Sequence, residues 1–107
     1  MCSSDLVTSQ RRFSLLPDVP AVAESGLSDY DIIAWFGLFA PAKTPPAVLT
    51  ALGNEMRRYL TSAEAKEEYQ KVGHEAIGST PEQLNQLVRS DTAKYERVIR
   101  EANIRLE

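Results

Sequence analysis

The chain has 107 residues, 43% hydrophobic and 25% charged, with 12 basic side chains against 15 acidic for a net charge of −3. That is one small domain, or a piece of a larger one, in ordinary globular proportions. The acidic balance offers no basic field to nucleic acid or an anionic membrane, the lone Cys2 excludes an internal disulfide, and the lone His74 leaves zinc short of ligands.

In chain order, residues 1–6 have no periodicity and do not open a signal peptide. They read as a disordered or non-native leader, with 7–107 as the structured part. Val7, Thr8 and Ser9 suit the tail of a short strand, and Arg11 and Arg12 a solvated surface. Two prolines, Pro17 and Pro20, stiffen the next loop, because the residue before each is pushed towards extended geometry. A short helix of about two turns fits between Pro20 and the left-handed stop offered by Gly26.

Residues 32–40 are the densest apolar run, with no charged side chain. Ile33, Trp35 and Phe39 would face one way, and Ile32, Phe36 and Leu38 the other. A strand apolar on both faces belongs inside an α/β layer, so this predicts a central strand. Each large side chain contributes about 1.5–3 kcal/mol when fully buried, which would make the run the main source of core energy. Gly37 suggests a bulge or a close approach, and Pro41 stops the ladder.

Thr44 and Pro45 form a cap and first turn for a helix over 45–60. Its apolar stripe is Val48, Leu49, Leu52, Met56, Tyr59 and Leu60, with Gly53 as a point of close packing on the strand. Ser62 caps a charged surface helix over 63–72 that stops at Gly73. His74 to Gly78 suits a short edge strand. His74 beside Glu75 is a weak hint of acid–base chemistry, since strand neighbours face opposite sides. Thr80, Pro81 and Gln83 spell a capping box for the last helix. Its stripe is Leu84, Leu87, Val88, Tyr95, Val98, Ile99 and Ala102; Asp91 falls at the margin and Asn103 ends it.

The expected fold class is therefore α/β, one central strand plus a short edge strand packed by three to four helices. Two strands give a marginal sheet, and an apolar strand with open edges needs partners. The pattern reads as part of a larger fold.

Three motifs occur in order: L-P-D-V-P-A-V-A-E-S-G (16–26), A-W-F-G-L-F-A-P-A-K-T-P (34–45) and G-S-T-P-E-Q-L (78–84). So ordered, the chain resembles the carboxy-terminal part of the Bug family of extracytoplasmic solute receptors, which serve tripartite tricarboxylate transporters. The resemblance implies a partial lobe of a two-lobed periplasmic-binding-protein fold, a small carboxylate ligand held with the missing lobe, membrane transporter components as partners, a periplasmic location, no cofactor and no catalysis. Where members often show Trp-Tyr-Gly, this chain has Trp35-Phe36-Gly37, which removes a hydroxyl; a Trp common near the end is Tyr95 here.

Trp35 and Phe36 are the candidate ligand-binding residues, near the hinge or cleft, against the plainer reading that they pack in the core. A different class of function, a small interaction module docking through 32–40, is the alternative, and self-association of the fragment is expected. An enzyme would need a nucleophile–base pair or a metal cluster, and the sequence presents neither.

Overall fold

The computed structural model describes residues 5–105. The chain divides into two compact units, Met1–Leu38 and Phe39–Glu107. Residues 1–4 of the expected leader and Leu106 of the expected tail lie outside the described residues; Asp5 and Leu6 are exposed and carry no regular structure.

The first unit is a hydrogen-bonded loop. Val7 pairs with Ala21 in an isolated parallel bridge, through Val7 N–H to the Pro20 carbonyl and Val22 N–H to the Val7 carbonyl, each 3.0 Å. The strand tail expected at 7–9 is thus a single bridge. The helix expected after Pro20 is one 3-10 turn, Val22–Ser25. Gly26 at φ 106° halts it after four residues, too early for an α-helical hydrogen-bond pattern to develop.

The second unit holds three helices, α1 Pro46–Leu60, α2 Ala63–Lys71 and α3 Pro81–Glu101. All three predicted helices form, within a residue or two of their expected ends. Pro45, not Thr44, occupies the cap position of α1, and no side chain caps that end. The second proline accounts for the shift: Pro46 takes the first helical position and moves the start one residue along. Ser62 accepts from the Ala65 amide at 3.1 Å, and the Thr80–Gln83 capping box closes with bonds of 3.2 and 2.8 Å.

Two helices end alike. After α2, Gly73 at φ 77° lets the His74 amide reach the Tyr69 carbonyl (2.9 Å) and the Gly73 amide reach Gln70 (3.0 Å). After α3, Asn103 at φ 50° repeats the pattern onto Ile99 and Arg100. These crossed bonds satisfy carbonyls that a helix end leaves open.

The expected strands are the main difference. Among the described residues no strand forms; 32–40 and 74–78 carry no regular secondary structure. A strand exists only through its ladder, and among the described residues none runs along 32–40, although the Ile32 N–H reaches the Thr8 carbonyl at 2.9 Å. The run also straddles the division between the two units.

Burial follows from that. Among the described residues the fully buried apolar side chains are Ala21 and Ala65, while the α1 stripe from Val48 to Tyr59 stays 39–49% exposed. Gly53 is not a point of close packing, since a Cβ built there meets nothing within 4 Å. The tight glycine is Gly78, where a Cβ would lie 2.8 Å from Thr61 Cγ2 and 3.1 Å from Arg57 Cγ. The stretch expected to be an edge strand instead seats its backbone against the end of α1. Asp91, expected at a stripe margin, is 9% exposed and paired with Lys94 at 3.0 Å one turn on. The Lys94 ammonium lies 5.4 Å from the centre of the Tyr95 ring, so one cation faces both a carboxylate and a π face.

Candidate functional site

The two candidate residues follow each other in the first unit yet meet different surroundings. Trp35 is half-buried, whereas Phe36 is 86% exposed. An exposed phenyl ring forgoes most of the roughly 1.5–3 kcal/mol that burial provides. Core packing within the first unit therefore does not account for Phe36, although it is compatible with Trp35. In the same unit, Gly26, Leu27, Ser28, Asp29 and Tyr30 line a shallow, open depression.

Elsewhere in this unit a set of polar contacts centres on Arg12, which the sequence marks as solvated surface. The Arg12 guanidinium meets Glu24 fork to fork: Nε lies 2.9 and 3.1 Å from the two carboxylate oxygens, and Nη2 is 2.8 Å from one of them. Its Nη1 donates to the Pro17 carbonyl at 3.0 Å. Glu24 also accepts from the Ala21 amide at 2.8 Å, the backward reach of an N3 glutamate to a helix start. The bond from Arg12, then that from the Ala21 amide, hold the Glu24 carboxyl down at about 2; the carboxylate in turn raises Arg12. Both side chains remain partly exposed, at 46% and 43%, so this contact gives geometry more than stability.

A second tie lies further along. The Gln10 amide donates to Asp31 Oδ1 at 3.2 Å, beside the Ile32–Thr8 backbone bond. Residues 8–10 thereby hold the chain just before Trp35. Glu24 three residues after Ala21 was a readable signal for the cap. The match between Glu24 and Arg12, twelve residues apart, had none.

Elsewhere, His74 is exposed and its neighbour Glu75 likewise. Among the described residues no three His, Cys, Asp or Glu side chains converge to hold a metal ion, and no helix is long and apolar enough to cross a membrane. Tyr59 links two helices by donating to Glu68 at 2.8 Å, and that bond raises the phenol above its ordinary range.

Comparison with known proteins gives these features a setting. Residues 5–104 match the family described as tripartite tricarboxylate transporter family receptor, TctC. A UPF0065 protein from the tcbD-tcbE intergenic region of Pseudomonas sp. strain P51 is 34% identical over 94 residues, covering 87% of this chain and 28% of the relative. A UPF0065 protein from the TAR-I ttuE-ttuC' intergenic region of Agrobacterium vitis is 32% identical over 99 residues, covering 90% and 29%. Protein BugT of Bordetella pertussis is 26% identical over 101 residues. Among solved structures, R. palustris Rpa4515 with adipate superposes with a TM-score of 0.81 at 28% identity, covering 92% of this chain and 33% of that one. The chain thus spans about three-tenths of the length of these first two relatives. With the family match covering nearly every described residue, the chain belongs to the TctC receptors of tripartite tricarboxylate transporters, the family that includes Bug proteins.

Proposed function

We propose that this chain is part of an extracytoplasmic receptor that binds a small carboxylate and delivers it to the membrane components of a tripartite tricarboxylate-type transporter. The observation that carries the reading is the family match over residues 5–104, supported by the superposition on a receptor solved with adipate. A periplasmic location follows from the same family, as does a lobe whose remaining sheet neighbours come from sequence beyond 7–107.

In this reading Trp35 and Phe36 lie at the hinge or cleft and offer apolar faces to the hydrocarbon part of the ligand. The exposure of Phe36 supports that role. The 107 residues alone do not bind ligand, since the second wall of a cleft between lobes comes from elsewhere.

Two measurements test this. Calorimetry of the chain with adipate and other small di- and tricarboxylates should give no heat of binding, and micromolar affinity would overturn the partial-lobe reading. A chimera of Rpa4515 in which residues 5–104 replace the matching segment should bind adipate, with Trp35→Ala and Phe36→Ala weakening it; unchanged affinity in both variants removes them from the site.

A second reading, a small interaction module docking another chain through 32–40, draws support from the exposure of Phe36 and from that of Leu38 at 65%. An upstream coding region for the rest of a two-lobed receptor rules it out, whereas self-association is expected of the receptor fragment, and a clean monomer in sedimentation counts against that first reading.

A further inference from the structure

Residues 7–10 are held from two sides. Through the Val7 bridge they join 20–22, and through the Ile32–Thr8 and Gln10–Asp31 bonds they join 31–32. The chain leaves this clasp at Ile32 and reaches Trp35 three residues later. Arg12 and Glu24 close the clasp at its far side. Arg12 reaches both Glu24 oxygens and the Pro17 carbonyl, while Glu24 holds the Ala21 amide, whose residue is the bridge partner of Val7. Nε, Nη1 and Nη2 of Arg12 are each engaged within the loop, which suits it to holding backbone and leaves it poorly placed to receive an anion.

We propose that Arg12 and Glu24 are positioning residues for the Trp35–Phe36 segment: their fork fixes the 7–10 backbone, and that backbone fixes where the aromatic pair sits. The importance of this for ligand binding rests on the reading of Trp35 and Phe36 given above. The guanidinium is essential to it. Only a planar fork spans two carboxylate oxygens and a carbonyl together, and a lysine ammonium keeps the charge but loses that geometry.

The test uses the whole 107-residue chain, in which Trp35 is the sole tryptophan. Amide hydrogen exchange at Val7, Val22 and Ile32 and the emission of Trp35 are compared in the wild type, Glu24→Gln, Arg12→Lys and Arg12→Met. Glu24→Gln retains an oxygen for the Ala21 amide and loses the fork. The three amides should exchange roughly threefold faster together in every variant, a size set by an exposed ion pair. Trp35 emission should move to longer wavelength, with helical ellipticity unchanged. Wild-type behaviour in Arg12→Lys overturns the proposal. So does faster exchange at Val22 with Ile32 and Trp35 unmoved, or loss of the helices along with the clasp. The ligand question separates cleanly: unchanged adipate affinity of the Trp35→Ala chimera removes the ligand role of Trp35 and leaves the clasp's hold on it standing.

Discussion

Gly78→Ala and Gly53→Ala should move stability in opposite directions, although each adds the same methyl group. At Gly78 the new Cβ would sit 2.8 Å from Thr61 Cγ2, 3.1 Å from Arg57 Cγ and 3.3 Å from the Arg57 carbonyl oxygen. Thr61 cannot simply turn away, because its hydroxyl donates to that same carbonyl at 2.8 Å. Overpacking of this kind costs about 1–3 kcal/mol. A stiffer unfolded chain returns about 0.4–1 kcal/mol, leaving a net loss of roughly 1–2 kcal/mol. For a chain of this size that lowers Tm by about 4–8 °C per kcal/mol. Gly53 lies inside α1 with nothing within 4 Å of its added Cβ, so alanine there gains about 1 kcal/mol of helix propensity. Urea titration followed by far-UV ellipticity measures both in one protein. A midpoint for Gly78→Ala at or above the wild type would refute the close approach of 78 to the end of α1, and a loss at Gly53 would show packing at that position.

Three further outcomes are expected. Thr80→Ala removes the acceptor for the Gln83 amide and should cost about 0.5–2 kcal/mol by the same titration, with Thr80→Ser close to wild type. Lys94→Met leaves the largely buried Asp91 carboxylate without its ammonium and should destabilise by about 1–3 kcal/mol, more than Asp91→Asn, which removes the buried charge itself; a larger loss in Asp91→Asn would overturn that order. Glu24 has a folded pKa of about 2 against an ordinary 4.5. A depressed carboxyl contributes stability that is fully present above the unfolded value and lost as pH falls through the folded one. The urea midpoint should therefore decline from about pH 4.5 towards pH 2, and Glu24→Gln should flatten that part of the curve.

The helices were legible because their signals are local. Ser62, Thr80 and Gln83 cap with their own side chains, Gly73 and Asn103 stop with their own backbone, and each acts within four or five residues. The strand at 32–40 was read from apolarity on both parities, which describes surroundings and says nothing of a ladder. Where the described residues supply one bond to Ile32, the same pattern gives no strand. Asp91 was assigned to a stripe margin because periodicity assigns a face and gives no measure of depth. Arg12 was assigned to solvent because a partner twelve residues away is invisible to spacing. Of the candidate pair, the sequence indicated both residues, and only the structure distinguished the half-buried indole from the exposed phenyl ring.

The paired stops at Gly73 and Asn103 bear on how fast this chain acquires order. Each uses carbonyls from the helix turn just completed, so closing it requires no distant segment to arrive first. Loop-closure entropy is then small for α2 and α3, and contacts of short sequence separation form on the microsecond scale. The first unit must instead bring Val7 to Ala21 and Thr8 to Ile32, closures of fourteen and twenty-four residues. Stopped-flow ellipticity should therefore complete its change before Trp35 reaches its final fluorescence.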